Sequence, residues 1–204
     1  MSLFKRKVKF SQFIADLMYF QLNFVESNFE NMVILADEYK VLTESDKKDL
    51  YSIADFLMLA DLTVGCIIHL SNKITNEDIG YVISSIYVKF LNDNRKIGIK
   101  EIEKKGEKYL EFLEFFEKYQ EQNKKEIESR KQAGGHPVEI KNDAERMQAD
   151  LCVAFAEYFT DKIATNKQSE TKQGRNFAAF KFAMGVVKAD FVKLALKECN
   201  IIWD

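Results

Sequence analysis

The stretch that decides the fold is Thr43–Leu70, TESDKKDLYSIADFLMLADLTVGCIIHL. Leu50, Ile53, Ala54, Leu57, Ala60, Val64, Ile67 and Ile68 recur mostly at spacings of three and four, and Phe56, Met58, Leu59, Leu62 and Leu70 fill most of the gaps. That spacing is helical, and a helix apolar on nearly every side is enclosed by other elements rather than laid on a surface. Thr43 can cap its start, and Glu44, Asp46 and Asp49 place negative charge at the positive end of the helix dipole. Thr43–Leu70 is therefore read as the central rod of a helical bundle.

On its N-terminal side, Phe10, Phe13, Ile14, Leu17, Phe20 and Phe24 form one helical stripe, continued by Phe29, Met32, Val33 and Ala36. Ser27 with Glu30 resembles a capping box and favours a break, whereas the continuing stripe favours one helix to about Tyr39. We expect the unbroken helix. The basic segment 1–9, with Lys5, Arg6, Lys7 and Lys9, opposes the helix dipole and is expected to fray. The apolar run behind it contains Asp16, Gln21 and Asn23 with no small-residue cleavage site, so no signal peptide is expected.

On its C-terminal side, Thr75 with Asp78 opens a third helix whose stripe is Ile79, Val82, Ile83, Ile86, Phe90 and Leu91. A fourth helix from Ile99 to Gln132 would be about 50 Å long. Its first half is apolar through Ile102, Tyr109, Leu110, Phe112, Leu113, Phe115, Phe116 and Tyr119. Between Tyr119 and Gln132 only Ile127 is large and apolar, while Glu114–Lys118, Glu121–Lys125 and Glu126–Arg130 are i,i+4 pairs in the favourable order. The segment 120–137 is thus expected to project or to be thinly covered, ending at Gly134-Gly135-His136-Pro137. Asn142 with Glu145 can cap a fifth helix carrying Met147, Leu151, Ala154, Phe155, Tyr158 and Ile163, and Thr165–Gly174 reads as a polar loop. In the sixth helix Phe177, Phe180, Met184, Val187, Phe191 and Leu194 alternate by three and four, the spacing of a coiled-coil seam expected to face the core. The tail Cys199–Asp204, with Trp203, is expected to dock on the bundle.

Composition agrees with this reading. A single proline and eight glycines in 204 residues permit long helices and leave little turn chemistry for a many-stranded fold. A chain of this size buries roughly 70% of its extended surface, enough for one self-sufficient core. The expectation is one all-α domain over residues 1–204, an up-and-down bundle of five or six long helices with one extended charged arm. A net charge of −2 gives no global pull toward nucleic acid or anionic membrane, and no run reads as the roughly 18 apolar residues of a membrane span. Cys66, Cys152 and Cys199 show no paired spacing, which fits a reducing cytoplasm.

Candidate chemistry is sparse. Cys66 and His69 lie at i,i+3 and are both metal-ligand types, but two ligands are half a site, so no metal or other cofactor is expected. Carboxylate-bridged di-iron bundles need Glu-x-x-His pairs, and Cys66 and Ala133 stand where those glutamates would be. Asp16, Asp55 and Asp61 interrupt apolar helical segments. They are expected to be paired, with Asp55 and Asp61 candidates for lining a polar cavity. Asn92–Glu103 has a faint calcium-loop spacing, but Lys96 and Ile97 occupy positions that need oxygen and glycine. Lys162, Lys167, Lys172 and Arg175 could contact an anion, diluted by Asp161 and Glu170. The expected function is non-enzymatic: interaction or regulation through a protein partner or a second copy of the chain. The alternatives are an apolar small-molecule or lipid-binding bundle and, below that, an enzyme using the helix-embedded aspartates.

Overall fold

The computed structural model describes residues 5–93, 95–132, 143–164, 171–187 and 191–203. The fold is an all-α bundle of six helices of 15 to 34 residues: α1 (Phe10–Ala36), α2 (Glu44–Leu70), α3 (Asn76–Asp93), α4 (Ile99–Gln132), α5 (Asp143–Tyr158) and α6 (Lys172–Val186). A shorter helix, α7 (Phe191–Glu198), follows. Two four-residue strands, β1 (Arg6–Lys9) and β2 (Cys199–Ile202), join the ends of the chain.

Helix α2 is the axis, packing against each of the other six helices. Phe56, Leu59 and Leu62, which face different directions around it, are all 1% exposed. Its apolar composition and length would also suit a membrane span, which the residue-by-residue reading had denied, but 78% of its most apolar window lies buried inside the bundle. Thr43 starts it with a complete capping box: Asp46 N–H donates to Thr43 Oγ1, and Thr43 N–H donates to the Asp46 carboxylate. The turn before it is held by Asp37, whose carboxylate accepts from the Val41 and Leu42 amides at 2.8 and 3.2 Å while Lys40 sits at φ 52°. Thr75 and Asp78 form the matching start of α3. Helix α1 runs unbroken past Ser27.

Gly65 lets α7 reach this axis, since a Cβ there would lie 2.7 Å from Val192 Cγ2. The distal half of α4 is thinly covered. Residues 121–129 are exposed except Asn123 and Ile127, and Asn123 donates to Asp150 of α5 at 2.8 Å. The break at residues 133–137 and the cap residue Asn142 lie outside the described residues.

Three expectations are corrected. Within the basic segment, Arg6–Lys9 does not fray. Arg6–Lys9 pairs in parallel with Cys199–Ile202, Val8 opposite Ile201, and Trp203 lies 5.2 Å from the Phe10 ring. The tail therefore docks as a strand. The sixth rod is not continuous, because α6 ends at Val186 and α7 begins at Phe191. The Phe/Met seam of α6 does not line the core either. Ala178, Ala179, Phe182, Ala183 and Val186 are buried, whereas Phe177 and Met184 are 42% and 58% exposed. The reason is spacing between backbones. Gly174 and Gly185 bring α6 against Val41 and Met32, with Cβ positions 3.0 and 3.3 Å from those side chains, and this turns the face carrying Ala178, Phe182 and Val186 inward.

Candidate functional site

Three arrangements stand out: two buried carboxylates on α2 and the apolar surface along α6.

Asp55 is 4% exposed and belongs to a charged cluster. Its Oδ2 accepts from the Tyr87 hydroxyl at 2.8 Å, Arg95 at 2.9 Å and Lys105 at 3.4 Å. Arg95 also lies 3.8 Å from Glu26 and over the Phe90 ring. The cluster therefore ties α2 to α1, α3, α4 and the α3–α4 turn. Burial pushes the Tyr87 hydroxyl well above its ordinary pKa, and the Asp55 charge pushes it further. Burial alone would lower Arg95, but the charges of Asp55 and Glu26 outweigh it and raise its pKa. Two cations and a phenol thus meet on one oxygen of this carboxylate.

Asp61 is 3% exposed, and two glutamine amides are among its partners. Gln21 of α1 donates Nε2–H to Oδ2, and Gln148 of α5 donates Nε2–H to Oδ1, both at 3.3 Å. Both glutamines are buried, and the Oε1 of each has no hydrogen-bond partner among the described residues. Burial pushes the thiols of Cys66 and Cys152 up to about 12, and the Asp61 charge adds to this. The partners described for Asp55 and for Asp61 are different residues. Asp16 is exposed and accepts from Gln12 at 2.6 Å.

Cys66 is fully buried and His69 half-buried in the last turn of α2. Among the described residues no three His, Cys, Asp or Glu side chains converge as a metal site. The described basic residues around α6 are placed as follows. Lys172 pairs with Asp161 at 2.7 Å, Lys162 is exposed, and Arg175 is 1% exposed and donates to Thr171. Lys167 and His136 lie outside the described residues.

Sequence reasoning missed the partners of both aspartates. Tyr87 sits at i+4 from Ile83 and was available as part of the α3 stripe, and Gln21 lies one turn past Leu17 in α1. Gln148 lies one turn before Leu151 of the α5 stripe, so each was readable as a polar interruption of an apolar face. Arg95 and Lys105 carried no local signal.

The outward side of α6 carries Phe177 and Met184, with Phe180 half-buried between them. Tyr39 meets Phe177 at 6.0 Å, and Lys181 lies over the same ring while pairing with Glu38. Phe20 stacks on Phe191 at 5.3 Å, which extends aromatic surface toward α1 and α7. No family model matches the sequence, and neither a curated protein nor a solved structure is significantly similar to it.

Proposed function

We propose that this chain is a non-enzymatic association protein that pairs with a second copy through the outward face of α6. The observation that carries the reading is the second face of that helix. Ala178, Ala179, Phe182, Ala183 and Val186 satisfy the core, while Phe177 and Met184 are exposed on the other side and Phe180 between them packs partly against the core. A regular apolar seam is what a helix needs in order to pair with another helix, and a monomer gains nothing by repeating it in water. Tyr39 at one end widens the apolar area, and the Lys181–Glu38 pair supplies a polar edge. Asp55 and Asp61 are both committed to hydrogen bonds inside the bundle, which argues against catalytic use. Cys66, Cys152 and Cys199 carry no disulfide, which suits a cytoplasmic setting.

Sedimentation of the full chain tests this. The wild type is expected to dimerise at micromolar concentration and Met184→Lys to be monomeric. Leu110→Lys, an equally exposed site on α4, is expected to remain dimeric. A wild type that stays monomeric up to millimolar concentration overturns the reading.

A further inference from the structure

Charge is spread unevenly over this fold. Lys5, Arg6, Lys7, Lys9, Lys193 and Lys197 are all exposed, and Glu198 is the one acid within β1, α7 and β2. The first turn of α1 adds no acid. The fold brings these cations together from opposite ends of the chain. Parallel pairing sets Lys7 beside Asn200 and Lys9 beside Ile202, all four exposed on the outward side of the ribbon, while Val8 is buried on the other side. Lys5 Nζ donates to the Leu196 carbonyl at 3.4 Å, and α7 runs directly into β2, so Lys193 and Lys197 join the same corner.

We propose that this corner docks the protein on a membrane surface rich in anionic lipid. Charge complementarity selects the partner and the orientation. The chain carries 32 acidic and 30 basic residues, so the rest of the molecule is net negative and is turned away from such a surface. Apolar side chains stand among the cations: Leu194, Ile202 and Trp203 are 54%, 47% and 40% exposed. Aliphatic groups gain by entering the acyl boundary, and an indole ring settles at the level of the headgroups. Lysine stems can lie along the same apolar surface while their ammonium groups reach phosphate. Leu194 and Ile202 have no counterpart in a phosphodiester backbone, which favours lipid over nucleic acid.

Trp203 is the single tryptophan of the chain, so its fluorescence reports on this corner alone. The full chain is titrated with vesicles of mixed phosphatidylserine and phosphatidylcholine, and separately with phosphatidylcholine alone. Saturable binding with a blue shift of the Trp203 emission is expected for the mixed vesicles, and no binding for the neutral ones. Each basic residue near an anionic surface strengthens binding about fivefold, so Lys7→Gln combined with Lys197→Gln should weaken it about 25-fold. Both side chains are exposed, and helix content should be unchanged. Lys124→Gln combined with Lys125→Gln removes the same charge from the exposed part of α4 and should leave binding as it was. Equal binding to neutral vesicles, binding to neither, or binding without a Trp203 shift overturns the proposal. So does an equal effect of the two double variants, or tighter binding to a DNA duplex than to the mixed vesicles. Met184 lies on α6, outside this corner, so a monomeric wild type that binds the mixed vesicles overturns only the association reading.

Discussion

Asp55 and Asp61 stand six residues apart on the same helix, and both are almost fully buried. Asp55 is held by Arg95, Lys105 and the Tyr87 hydroxyl on one oxygen, and Asp61 has the amides of Gln21 and Gln148 among its partners, one on each oxygen. The first arrangement ties α2 to α1, α3 and α4 through long side chains that reach the surface. The second sits deeper, between α1, α2 and α5, and leaves two amide oxygens unmet. A bundle axis this apolar can slide or rotate against its neighbours with little change in burial. Two polar anchors with different partners fix its register, and they differ in what happens when the charge is removed.

The largest effect is expected at Asp55. Asp55→Asn leaves Arg95 and Lys105 partly buried beside a neutral group, and urea denaturation should show a loss of about 3–5 kcal/mol. Tyr87→Phe removes one hydroxyl donor from the same oxygen and is expected to cost about 1–1.5 kcal/mol by the same assay. Asp61→Asn is expected to cost less than Asp55→Asn, because one glutamine can turn its unmet Oε1 to accept from the new amide. Equal losses at Asp55 and Asp61 would break the distinction between the two anchors.

The smallest effect is one of pH. Cys66 and Cys152 are protonated to about 12, above the unfolded-chain value of about 8.5. With the folded pKa raised, their contribution to stability is complete below about pH 8.5 and is lost as pH rises toward 12. Alkylation of both thiols should therefore be slow at neutral pH in the native state. Asp61→Asn should let both ionise at somewhat lower pH, since it removes the secondary cause but not the burial. No change in their alkylation profiles would show that the Asp61 charge does not reach them.

Much of the architecture was legible because α2 is apolar on all sides and its cap is local: Thr43 and Asp46 are three residues apart. The face of α6 was not. Periodicity weighs large side chains, and it selected Phe177, Met184 and Leu194 over the alanines that fill the core. The close approach of Gly174 to Val41 and of Gly185 to Met32 decides that choice, and it joins residues far apart in sequence. The terminal strands escaped notice for the same reason. They are four residues each, at opposite ends of the chain, with no hairpin turn between them. Asp55 and Asp61 were readable as buried and paired, but Arg95 and Gln148 come from 40 and 87 residues away.

The proposal that α6 has one face for the core and another for a second copy is tested most directly by sedimentation equilibrium of the full chain beside Met184→Lys. The account predicts a dimer for the wild type and a folded monomer, with unchanged helix content, for the variant. A monomeric wild type, or a dimer untouched by Met184→Lys, contradicts it.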